Sequence, residues 1–206
     1  MANPDRSIDP RILECAKKEF LANGYEKASL KVICEEASVT TGALYKRYKG
    51  KEDLFCAVVA DTMEAINGFV ECRSAALASS LSDEVLISAW EMGDSMLEWL
   101  RFLYQHYDGF RLLISGAGGT RYANFQHDFV ERMTKKTYEY FLEAKTRGLT
   151  QADISLEEMH ILLSAFWTTI YEPFIHGYTW QQMENHCNVI CKLFNWYHVL
   201  GFDEGK

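Results

Sequence analysis

Apolar residues recur every three to four positions from about residue 10 to residue 200, and nowhere is the two-residue alternation of a strand sustained. The pattern predicts an all-α chain of about nine helices. Asp9-Pro10 marks the first start, an N-cap acceptor followed by a proline whose missing N–H costs nothing at the first position. Ile12, Ala16 and Phe20 form one stripe, with Leu13 and Leu21 beside it, and Asn23-Gly24 marks the stop, with Gly24 as a left-handed cap. Ser29 caps a second, short helix with Leu30 and Ile33 inward and Ala37 near its end. Ser38-Val39 is a tight turn. Thr40 or Thr41 caps a third helix, Gly42 to about Tyr48, and a longer helix runs from about Lys51 to roughly Ala78.

Residues 82–106 are predicted as one long helix, apolar over most of its girth through Val85, Ala89, Trp90, Met96, Leu97, Leu100 and Leu103. Glu84, Glu91, Asp94 and Glu98 share a solvated stripe on it. A short helix, a glycine-rich break at 116–119 and a helix from about 120 to 147 ending at Gly148 follow. The glycines lack the Lys-Ser/Thr ending and preceding strand of a phosphate loop, so that reading is rejected. The last two helices span about 155–176 and 179–200. Pro173 lies inside the first of them and predicts a bend or local break between Thr169 and Pro173, since it lacks an N–H and crowds the carbonyl four residues back.

Hydrophobic residues make up 48% of the 206, enough for a sizeable core, and no apolar run approaches the roughly 20 residues of a membrane span. With no signal-peptide pattern at the N-terminus, the expected location is cytoplasmic, with no membrane partner. The six cysteines include no CxxC pair and are read as free thiols. Cys187 and Cys191, with His186 beside them, have a spacing that a metal could use, but helix packing is the commoner cause; no metal or cofactor is expected. Net charge is −8, yet unevenly spread: residues 1–60 carry ten Lys/Arg against nine Asp/Glu, residues 61–206 eleven against twenty. Lys46, Arg47, Lys49 and Lys51 fall within six residues with no acid among them. A phosphate backbone responds to such a local cluster and not to the chain total.

Two short helices, a tight turn and a polar-capped, cation-rich third helix make a helix-turn-helix. A helix that only had to pack would not gather Tyr45, Lys46 and Arg47 outside the packing set of Val39, Leu44 and Tyr48. The stretch from Ile12 to Val59 resembles the head of the TetR family of regulators. The matching marks are Phe20, Gly24-Tyr25, Ser29, Ile33, Ala37, Val39, Gly42, Leu44-Tyr45, Tyr48, Lys51-Glu52 and Leu54; Ser38 stands where glycine is usual, and Tyr48 where phenylalanine is usual. The resemblance implies that the third helix enters the major groove of double-stranded operator DNA. Thr40 and Thr41 suit a phosphate at the helix N-terminus. Gly42 lets backbone approach DNA closely, unless helix crowding explains it. Tyr45 can meet a thymine methyl or a phosphate, and Lys46 and Arg47 base edges or phosphates. Lys51 matches the family's phosphate-contacting lysine, and Ser29 can hold a phosphate as well as cap. The expected division is a DNA-binding domain over 1–52 and a sensing and dimerisation domain over 53–206.

The body is dense in aromatics. A cavity between helices is the default ligand site of a bundle, and Trp90, Met96, Trp99, Phe102, Phe125, Phe129 and Phe166 are its candidate walls, each also explicable as core. The last two helices have wide apolar faces, which mean a partner. The family implies a homodimer through four helices, with Phe166, Trp167, Ile170, Phe174, Ile190, Phe194 and Tyr197 as candidate contacts. Glu172 and His176 share a face and are read as an ion pair or interface contact. The expected function is a DNA-binding repressor released by a small hydrophobic or aromatic effector of unknown identity. Two alternatives are a DNA-binding regulator with no inducer and a helical enzyme. No nucleophile elbow, HExxH or phosphate loop occurs, the six histidines stand singly, and no catalytic residue is assigned.

Overall fold

The computed structural model describes residues 8–78 and 81–202; every structural statement below concerns these. Among them the chain is entirely helical, with eleven α-helices and one π-helical turn. It packs as two compact units. The first takes in the chain up to Ile66 together with His106–Phe125, and the second comprises Asn67–Gln105 and the chain from Gln126 onward. Packing thus divides the chain elsewhere than at residue 52, partway along the fourth helix and again around a returning segment.

In the first unit, α1 (Ile8–Lys27) presents Ile12, Ala16 and Phe20 to the core, and Gly24 interrupts it at φ +69°. Asp9 is not the cap the sequence reading made it: it already lies in helical backbone, and its carboxylate takes the Arg47 guanidinium. Helix α2 (Leu30–Glu36) is capped by Ser29, whose hydroxyl oxygen accepts from Val32 N–H at 3.4 Å. Ser38, at φ +52°, is the one described non-glycine residue in the left-handed region. The turn needs that conformation, and a side chain there is strained. Helix α3 (Thr41–Tyr45) is capped by Thr40 and is shorter than expected, so Lys46 and Arg47 fall in the turn that ends it.

Helix α4 (Lys51–Ala78) follows, its first part in this unit. Phe20, Tyr25 and Phe55 form one aromatic cluster, with centroids 5.1–6.2 Å apart. The returning segment carries α7 (Tyr107–Arg111) and the π-helical turn Leu112–Gly116. Gly109 in α7 lies hard against α4: a Cβ there would sit 1.9 Å from Thr62 Oγ1. No other residue fits between these two helices without moving one of them.

In the second unit the expected helix over 82–106 is two, α5 (Asp83–Ser88) and α6 (Asp94–Gln105). Gly93 at φ +63° breaks them, so the four acids read as one stripe do not share a helix. Helix α8 is Phe125–Thr146, starting five residues later than expected because 120–124 are turns. Helix α9 (Leu156–Ile175) continues through Pro173 without the expected break. The Thr169 carbonyl, left without its intrahelical donor, lies 2.9 Å from His186 Nε2. A carbonyl only accepts, so this nitrogen carries the ring proton. The last expected helix is again two, α10 (Trp180–Leu193) and α11 (Trp196–Val199), parted where Phe194 leaves helical backbone.

Candidate nucleic-acid interface and cavity

Local signals build the outer face of the first unit. Thr40 Oγ1 accepts from Ala43 N–H at 3.1 Å, fixing the first turn of α3. Thr40, Thr41, Gly42, Tyr45 and Lys46 are all exposed, Tyr45 by 53%, a large value for an aromatic side chain. Gly42 has no internal reason to be glycine. Its φ is not positive, and the nearest foreign atom to a Cβ built on it is Thr40 Oγ1 at 3.9 Å. Helix crowding is therefore excluded as its cause, while the outward side stays open.

Two of the cations are braces. The Arg47 side chain, 16% exposed, pairs with Asp9 and donates to the Ala43 carbonyl at 3.2 Å, tying α3 to α1 across 38 positions. That geometry does not present a guanidinium fork outward, so the base-edge role expected of Arg47 has no support here. Lys51 Nζ donates to the carbonyls of Glu26 (2.9 Å) and Ala28 (3.1 Å) and stands 4.7 Å from the centroid of the Tyr25 ring. An ammonium has three donors, so these two carbonyls leave one. Ser29 N–H donates to Glu19 Oε1 at 2.9 Å, and the Ser29 hydroxyl proton is left to donate.

The second unit contains a cavity of about 190 Å³. Of the seven candidate wall residues, Trp90, Met96, Trp99 and Phe166 line it. Phe102 instead stacks on Phe69 (4.1 Å between centroids), and Phe129 lies behind Trp99 and Trp167 as edge-on support. Phe125 belongs to the first unit, against Phe110. The sequence reading missed the polar wall: Arg73 and Ser74 from α4, Lys136 and Tyr140 from α8. Arg73 and Ser74 continue the inward stripe of Ile66 and Val70, where the helical period calls for apolar residues; that mismatch was the available signal. Arg73 donates to Glu98 at 2.6 Å and also to Ser95. Lys136 Nζ donates to Ser74 Oγ at 3.1 Å, and Tyr140 O–H to the Ser74 carbonyl at 3.3 Å.

The candidate dimer contacts need correction. Phe166, Trp167, Ile170, Phe174 and Ile190 are buried within a single chain, and Phe194 and Tyr197 are half-buried. They fill the core because α9 and α10 pack their widest apolar faces inward. The large apolar residues of these helices most exposed are Ile161 on α9 (67%), and Val189 (60%) and Leu193 (68%) on α10. Ala165 and Thr168 extend the α9 stripe at helical spacing. His176 Nε2 lies 3.2 Å from Glu172 Oε2, both side chains exposed. Burial raises the Cys187 thiol to about 12, so it stays protonated and unreactive, 3.9 Å from Cys191. Among the described residues no group of His, Cys, Asp or Glu is placed to hold a metal, and no helix is long and apolar enough to cross a membrane.

Residues 12–58 match the family model for bacterial regulatory proteins of the tetR family. The transcriptional regulator UidR of Escherichia coli K12 is 36% identical over 63 residues, a match spanning 31% of this chain and 31% of UidR. A TetR-like transcriptional regulator from Rhodococcus sp. RHA1 superimposes over 100% of both chains at a TM-score of 0.60 and 18% identity. CifR, a TetR family regulator solved with 26-base-pair double-strand operator DNA, is similar over 93% of this chain and 98% of its own, at a TM-score of 0.52 and 18% identity. At such identity the structural likenesses are likenesses of fold.

Proposed function

We propose that this chain, whose residues 12–58 match the family model for bacterial regulatory proteins of the tetR family, is a transcription regulator of that family that binds double-stranded operator DNA as a homodimer. The observation that carries this reading is the exposed ridge Thr40–Lys46, on which Gly42 is a glycine that the fold itself does not require. Major-groove recognition by a short helix needs an N-terminus with free N–H groups, close backbone approach and outward polar or aromatic side chains. Thr40, Thr41, Gly42, Tyr45 and Lys46 supply these, with Ser29 and the third proton of Lys51 aimed at the phosphates. UidR, named a transcriptional regulator, and CifR, solved on its operator, support the same reading. No catalytic step enters it.

Residues 1–52 read DNA in this account, and residues 53–206 sense and dimerise. Ile161, Ala165 and Thr168 of α9 join Val189 and Leu193 of α10 as the surface that meets a second copy, because unpaired apolar residues in adjacent helices favour burial. The regulator is a repressor, released when a small molecule enters the cavity of the second unit. That cavity touches α4 at Val70, Arg73 and Ser74, on the same helix that begins at Lys51 beside the head. Coupling then requires that ligand bind the DNA-free protein more tightly than the DNA-bound one.

The test is fluorescence anisotropy of the full chain on labelled duplexes from the DNA flanking its own gene, at several salt concentrations. Binding to one duplex over a scrambled control, with affinity falling as salt rises, supports the proposal. Equal, weak binding to all duplexes contradicts it.

A further inference from the structure

We propose that the cavity of the second unit takes a small organic acid: one carboxylate on a single aromatic ring or a short apolar chain. The proposal rests on the effector reading above for its biological consequence, and names the ligand class that reading leaves open.

The cavity wall has two characters. Trp90, Met96, Trp99, Leu163, Phe166 and Trp196 make it aromatic and apolar. Against them, donors gather about Ser74: Lys136 bonds its hydroxyl, Tyr140 its carbonyl, and Arg73 is its neighbour in α4. The charged residues of the wall are two cations and one acid, Glu91, which is itself exposed. Arg73 is already met by Glu98. Lys136 is different: it donates to the neutral Ser74 hydroxyl, and no carboxylate pairs with it among the described residues. An ammonium set in an apolar wall with no carboxylate beside it leaves a positive charge that an anionic ligand can meet. With Arg73 and Lys136 against the single, exposed Glu91, the charged groups of the wall favour an anion.

A ligand that answers both characters is amphipathic and anionic. Its carboxylate accepts from Lys136 and its apolar part lies among the aromatics. A neutral hydrocarbon leaves Lys136 unmet, and a cation meets two like charges. Size limits the apolar part: a cavity of about 150 Å³ admits benzene, so about 190 Å³ holds one ring or a short chain.

The experiment uses matched pairs that differ in charge and little in shape: benzoate and benzamide, phenylacetate and phenylacetamide, octanoate and octanamide. Binding to the full chain is followed by quenching of the tryptophan fluorescence that Trp90, Trp99, Trp167 and Trp196 give this wall. The acid of at least one pair is expected to bind about tenfold more tightly than its amide, the ratio a charge-assisted hydrogen bond supplies. Lys136→Met is expected to remove that advantage while sparing amide affinity, and Lys136→Arg to keep it; circular dichroism checks the fold of each. Amides binding as tightly as acids, an unchanged ratio in Lys136→Met, or no binding by any compound at millimolar concentration would overturn the proposal. The bound acid is then added to the protein–duplex complex. Binding without release of DNA leaves the acid site standing and refutes the effector role.

Discussion

Gly42→Ala separates the demands of the fold from those of DNA contact. The added methyl meets no foreign atom nearer than Thr40 Oγ1 at 3.9 Å, an ordinary contact, and the backbone at Gly42 is not left-handed. Alanine is favoured over glycine by about 1 kcal/mol in a helix interior. Gly42 is the second residue of the five-residue α3, so about half of that, ~0.5 kcal/mol, is the expected gain. For a unit of this size it raises the melting midpoint by roughly 2–4 °C. On DNA the sign reverses. If the start of α3 approaches the duplex as closely as its glycine permits, a methyl forced into that contact costs about 1–3 kcal/mol, or roughly 5- to 150-fold in affinity. Thermal melts followed by circular dichroism give the first number, and anisotropy on the bound duplex the second. A more stable variant with wild-type DNA affinity would refute the close approach, and a destabilised variant would refute the claim that the fold does not need this glycine.

Asp9→Ala and Arg47→Ala are each expected to cost about 1–2 kcal/mol in urea unfolding, discounted for the exposure of Asp9, with the double variant scarcely worse than either; Arg47→Ala losing DNA affinity with no loss of stability would restore it as a reader. Gly109→Ala is expected to destabilise by about 1–3 kcal/mol through its clash with Thr62, and Thr62→Ala to recover part of the loss; wild-type melting of Gly109→Ala would show that α4 and α7 part freely. Val189→Asp and Leu193→Asp are expected to give folded monomers by light scattering, since both residues are exposed in the single chain and need no burial to fold it; dimers retained in both would move the interface elsewhere.

The head was legible because its signals are local. Ser29 and Thr40 cap the helices that follow them within three residues, and Gly24 stands at a left-handed position that few other residues accept. The roles of its cations were not legible. Arg47 finds Asp9 across 38 positions and Lys51 finds Glu26 across 25, and periodicity carries no information about such pairs. In the body, continuous apolar content over 82–106 and 179–200 hid the breaks at Gly93 and Phe194. Width of an apolar face also cannot separate core from interface. Phe166 and Ile170 belong to the wide apolar faces and are internal, while Ile161, Val189 and Leu193, each beside one polar residue and one apolar one, stay outside. The break expected at Pro173 does not occur; the Thr169 carbonyl it frees meets the imidazole of His186 on another helix, a pairing that required the packing of α9 on α10.

The central claim is that the Thr40–Lys46 ridge reads operator DNA as one half of a symmetric pair. Selection of binding sites by the full chain from a pool of random duplexes tests it most directly. The account predicts enrichment of an inverted repeat whose half-sites lie about 34–36 Å, one helical turn, or a multiple of that apart, and loss of that enrichment with Tyr45→Ala. A pool that stays random, or the same repeat selected equally well by Tyr45→Ala, would contradict it.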